Sequence, residues 1–61
     1  MFTRCVDAAA ATIRRGETLI FGTRFRKVRK VEMTEEGMVI IYFQKGGASR
    51  FFADETVSVA L

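Results

Sequence analysis

Five of the seven residues in RFRKVRK, positions 24 to 30, are Arg or Lys, interrupted only by Phe25 and Val28. Side chains of this type and density neutralise phosphates and release counterions, and interleaved rings stack on bases. Arg24, Arg26, Lys27, Arg29 and Lys30 are therefore candidate nucleic-acid ligands, and Arg14 and Arg15, just upstream, extend the set. The charge is segregated. From Thr12 to Val31 the chain carries seven Arg or Lys against Glu17 alone, although its net charge is only +3. Such asymmetry points to an oriented partner surface more than to a general solubility charge. The plainer use of the same residues is to keep an edge strand solvated and block edge-to-edge pairing, and both readings stand at this point. Because solvated charges add little to stability, replacing Arg26 and Arg29 is expected to leave folding nearly intact.

Catalysis finds little to work with. Histidine is absent, so proton transfer would fall to seven Asp and Glu residues, Cys5 or Tyr42. Glu35 and Glu36 sit in TEEG, a turn that keeps them solvated, and Asp54 and Glu55 read as caps of a corner. Cys5 has no companion base and reads as a small buried hydrophobe. Gly46 and Gly47 lack the strand-to-helix context of a phosphate loop. A single cysteine without histidine rules out an internal disulfide and makes a Cys/His zinc set untenable. The expectation is a non-enzymatic binding module with no cofactor and no metal. No signal peptide or membrane-length apolar run is visible, which fits a cytoplasmic protein.

The elements that must hold the basic residues are read from pattern. Sixty-one residues make one small domain, 1–61, which hides only about 60% of its unfolded surface. With 49% apolar residues the chain can still build a core. Positions 1–16 are ambiguous. Asp7 can cap a short helix over DAAAATIRR that Gly16 stops, yet so short a helix is marginal without packing. A helical or irregular segment therefore stands open there, after an extended FTRCV. From Glu17 onward the chain is β throughout: TLIF, the long RFRKVRKVEM, MVIIYFQ, SRFFA and VSVAL, joined at Gly22-Thr23, TEEG, KGGA and DET.

Five short strands with tight turns imply an all-β, closed or nearly closed barrel over 17–61. The succession IRRGETLIF, RFRKVRKVE and FFADETVSV resembles the SH3-like small barrels, a group that includes KOW-type domains and the N-terminal barrel of elongation-factor-P-like proteins. The resemblance implies a fold and no functional residue. Phe25, Val28 and Val31 are spaced by three, which no flat strand places on one face. A bulge near Lys27 reconciles them, and otherwise Phe25 lies exposed at the hairpin end.

Seven aromatic residues are many for so small a core. Strand alternation splits Tyr42 from Phe43, Phe51 from Phe52 and Ile40 from Ile41. Val28, Val39 or Ile41, Phe43 and Val57 are the expected core. Phe25, Tyr42 and Phe52 are candidate partner-binding residues, giving a second function class: a protein–protein module, adaptor or inhibitor, docking by an apolar sheet face or open edge, with homodimerisation one outcome.

Overall fold

A computed structural model describes residues 4–61. Six strands form one antiparallel sheet: β1 (Cys5–Ala9), β2 (Thr18–Phe21), β3 (Arg24–Met33), β4 (Met38–Phe43), β5 (Ala48–Phe52) and β6 (Thr56–Ala60), in the spatial order β1-β6-β2-β3-β4-β5. The all-β class is as expected, and every segment expected after Glu17 becomes a strand. Among the described residues no helix is long and apolar enough to cross a membrane.

Two features correct the expected five-stranded, closed or nearly closed barrel. The sheet has a sixth strand and stays open, with β1 and β5 as its edges. Within 7–15 a helical turn forms but a full helix does not. β1 pairs along its whole length with β6, from Cys5 opposite Ala60 to Ala9 opposite Thr56, and only Ala10–Thr12 form a single 3₁₀ turn. A short alanine helix gains little by itself, whereas a free strand edge offers a ladder of backbone partners. Asp7 caps no helix; its carboxylate accepts a 3.3 Å hydrogen bond from the Ser58 hydroxyl. The alanines serve packing, since Ala10 is completely buried and Ala8 packs against the core. Cys5 is exposed rather than buried, because β1 is an outer strand. Of the extended FTRCV segment, Phe2 and Thr3 lie outside the described residues.

The sheet folds over because β3 serves both halves. Its first residues pair with β2, from Arg24 opposite Phe21 to Lys27 opposite Thr18. The remainder pairs with β4, from Val28 opposite Phe43 to Met33 opposite Val39. The ladder slips between Val28 and Lys30, so Arg29 is the extra residue of a bulge. A bulge bends and twists its strand. It lies two residues beyond the expected Lys27, and it lets Val28 and Val31 both face inward while Phe25 remains 53% exposed. One core fills the fold: Ala10, Ile13, Leu19, Val57 and Val59 from one half meet Val28, Val39, Ile41, Phe43 and Phe51 from the other. The 3₁₀ turn closes one end, donating from Ala10 to the Glu55 carbonyl at 2.8 Å and from Ala11 to that of Ala53 at 3.0 Å.

Turn chemistry follows the sequence. Thr34 accepts from Met38 N–H through its hydroxyl at 3.1 Å, while Gly37 takes a φ of 79°. In the β4–β5 turn Lys45, Gly46 and Gly47 all have positive φ, a conformation that is costly for side-chain-bearing residues. The face assignment is tested by two truncations of one residue type. Phe43 is 3% exposed and Phe52 63%. Phe43→Ala should lower unfolding stability by about 3–5 kcal/mol in urea denaturation, and Phe52→Ala by no more than about 0.5 kcal/mol. Equal losses would mean that the faces of β4 and β5 are wrongly assigned.

Candidate nucleic-acid interface

Alternation normally sends residues 27 and 30 of a strand to opposite faces. In β3 the extra residue cancels that rule. Val28 is buried, so Lys27 points outward; after the bulge Lys30 lies opposite Tyr42 and also points outward. Arg29 joins them, because its guanidinium lies 5.8 Å from the Tyr42 ring centroid and the Lys30 ammonium 5.5 Å from the same ring. Three cations in four residues thus share one face, two of them against one aromatic ring. Lys30 also makes a 2.7 Å ion pair with Glu32, the next outward residue. That carboxylate, by hydrogen bond first and charge second, holds the Lys30 pKa above its ordinary value, so the ammonium stays charged throughout the neutral range.

The upstream arginines are brought to the same strand by backbone bonds. Gly16 N–H donates to the Val28 carbonyl at 2.9 Å and Val28 N–H to that of Glu17 at 2.8 Å. The Arg14–Glu17 turn is itself locked, with Arg14 N–H donating to the Glu17 carboxylate at 2.9 Å. The lone acid of the basic segment is therefore spent on a main-chain donor, and the exposed side chains of Arg14 and Arg15 flank the middle of β3. Among the described residues Lys30–Glu32 is the single ion pair. Arg14, Arg15, Arg24, Arg26, Lys27 and Arg29 have no carboxylate partner among the described residues.

Arg24 and Arg26 turn the other way. They lie opposite Phe21 and Leu19, on the inner face of the β2–β3 hairpin, where the core ends. Arg26 is half-buried. Its guanidinium sits 4.9 Å from the Phe43 ring centroid and donates to the Gly46 carbonyl at 2.6 Å, fastening the β4–β5 turn to β3. It forms a wall between two depressions. One, of about 160 Å³, is lined by Phe21, Arg24, Arg26, Phe43 and Ser49. The other, of about 230 Å³, is lined by Phe25, Arg26, Lys27, Gln44 and Lys45. Neither contains a carboxylate. Phe21, Gln44, Lys45 and Ser49 were not singled out from the sequence. The signal was the pairing of KGGA with the basic strand, which depends on which hairpins meet.

The expected partner-binding residues do not form one patch. Phe25 lies in the second depression, Tyr42 under Arg29 and Lys30, and Phe52 opposite Met38 at the far end of β5. Tyr42 lies opposite Ala48, four residues from Phe52 along β5, about 13 Å at strand rise.

Comparison with known proteins returns no matching family model, no matching curated protein and no matching solved structure. The geometry also revises the expected effect of losing Arg26. A charge-assisted hydrogen bond and a guanidinium–ring contact are at stake, so Arg26→Ala should lower stability by about 1–2 kcal/mol in urea denaturation. Arg29→Ala, which removes an exposed side chain whose ring contact is longer, 5.8 Å to the Tyr42 centroid, should lie within about 0.5 kcal/mol of the parent. If the two variants denature alike, Arg26 is not a structural fastening.

Proposed function

We propose that this chain is a non-enzymatic nucleic-acid-binding module, a small regulatory or accessory protein that holds a phosphate backbone along β3 and its tethered loop. The observation that carries this is uncompensated charge in one place. Lys27, Arg29 and Lys30 share the outer face, the turn carrying the exposed Arg14 and Arg15 is tethered beside it, and four of these five cations lack a carboxylate partner among the described residues. A strand that needed only solvation would not require Arg29 and Lys30 to gather around a ring. The same reading takes the architecture as a relative of the SH3-like small barrels. The order β6-β2-β3-β4-β5 and the bend in β3 support it, with β1 as an added edge strand. It also takes the setting as cytoplasmic, since Cys5 has no partner for a disulfide within the chain.

The second reading, a protein–protein module or homodimer, has its own observation. Met38, Ile40 and Tyr42 line the outer face of β4, and Phe52 beside them is 63% exposed. Charge separates the two. A surface making about four to six phosphate contacts on a duplex should give a log–log salt slope of roughly −4 to −5. Lys27→Ala combined with Arg29→Ala should weaken binding to all sequences alike and make the slope shallower by about one unit per lost contact. Anisotropy titrations across salt read both quantities. Binding that persists at high salt with an unchanged slope would favour the protein-partner reading.

A further inference from the structure

The depression bounded by Phe21, Arg24, Arg26, Phe43 and Ser49 belongs to neither the outer strip nor the hydrophobic core, yet it sits where both end. Phe21 is the last residue of β2 and remains 38% exposed. Its ring is fixed rather than loose. It stands edge-on to Phe43 at 5.6 Å between centroids and runs nearly parallel to Phe51 at 6.5 Å. Arg26 is pinned to the Gly46 carbonyl and forms one wall with its guanidinium plane, while Arg24 opposite Phe21 is exposed and has no ion pair among the described residues. The hydroxyl-bearing Ser49 supplies a donor and acceptor, and on the far side of Arg26 stand Lys27, Gln44 and Lys45. A held aromatic face, a guanidinium plane, a hydroxyl and flanking cations without acids are what a nucleobase and its phosphates require.

We infer that this depression takes one unstacked nucleobase, so that the protein prefers single-stranded to duplex nucleic acid. The inference rests on the nucleic-acid reading above and specifies its substrate class. A volume of about 160 Å³ admits one ring system and not a stacked base pair. In a duplex the bases are stacked inside and cannot reach Phe21 without being flipped out. The base lies against Phe21 and the guanidinium of Arg26, and its phosphates meet Arg24 on one side and Lys27 and Lys45 on the other. Charge alone favours the duplex, whose denser phosphates release more counterions per contact. A preference for single strands is thus a result that the basic strip does not produce.

The test uses the full chain with a short oligonucleotide carrying 2-aminopurine at one position, single-stranded and annealed to its complement, at matched salt. The parent should bind the single strand more tightly than the duplex, with 2-aminopurine emission rising as that base leaves its neighbours. Phe21→Leu keeps apolar bulk and removes the π face. It should weaken single-strand binding by at least about five-fold, the low end of one base–aromatic stack, and leave duplex binding unchanged. Arg24→Ala, an exposed change that cannot unfold the domain, should weaken the single strand in the same sense. If single strand and duplex bind alike and Phe21→Leu changes neither, the nucleobase site is overturned while the phosphate-binding strip stands. If neither form binds at any salt, both fall, and an acidic protein surface becomes the occupant of the basic face.

Discussion

One extra residue in β3 sets the shape of this protein and the distribution of its charge. Val28 and Val31 are spaced by three, yet both must reach the same core, and only a slip in the ladder at Arg29 permits it. The slip falls where β3 stops pairing with β2 and begins pairing with β4, so the bend it introduces turns one long strand into the spine of two facing half-sheets. The core between those halves consists of ten apolar residues, five of which (Ala10, Leu19, Val28, Val39 and Ile41) are fully buried. At roughly 1.5–3 kcal/mol for each fully buried aliphatic side chain, this cluster dominates the stability of a chain with no disulfide.

The same slip decides where the cations go. A regular strand would divide Lys27, Arg29 and Lys30 between two faces, one of which is the core, and burying an unpaired charge costs far more than a small domain can tolerate. The bulge removes the conflict by sending all three outward. Arg24 and Arg26, upstream of it, remain on the inner side, where the sheet has already opened to solvent. Arg26 then gains a ring and a carbonyl as partners, and Arg24 is left beside Phe21. Packing and electrostatics are therefore two consequences of one register shift.

Glu17 shows how local bonds sharpen that arrangement. Within the basic segment it is the one carboxylate, yet it accepts from a main-chain N–H of its own turn. The turn in turn bonds to Val28 through two main-chain contacts. Arg14 and Arg15 are thereby held beside β3 without being neutralised. Glu55 behaves similarly at the corner after β5, accepting from Phe52 N–H at 3.2 Å. Two acids of this chain, Glu17 and Glu55, thus serve turns rather than neutralise a neighbouring cation.

Much of this was legible in the residues alone. Alternation in MVIIYF separates Val39, Ile41 and Phe43 from Met38, Ile40 and Tyr42, and period two needs no tertiary information to be read. The glycines at 22, 37, 46 and 47 mark turns because their backbone chemistry is local. The spacing of Phe25, Val28 and Val31 called for a bulge, and one exists, though at Arg29. What the sequence could not decide is what long-range pairing decides. DAAAATIRRG carries helix-forming residues, and only the free edge of β6, some fifty residues away, makes Cys5–Ala9 a strand. The same edge leaves Cys5 exposed and turns the expected five-stranded, closed or nearly closed barrel into a six-stranded open sheet. The aromatic depression is equally non-local: Phe21, Arg24 and Phe43 belong to three strands, and nothing in the spacing of one strand records which rings another will bring beside it. Local preference is worth tenths of a kilocalorie per residue, whereas a paired ladder or a filled core is worth several. Wherever the two disagree in this chain, the tertiary structure prevails.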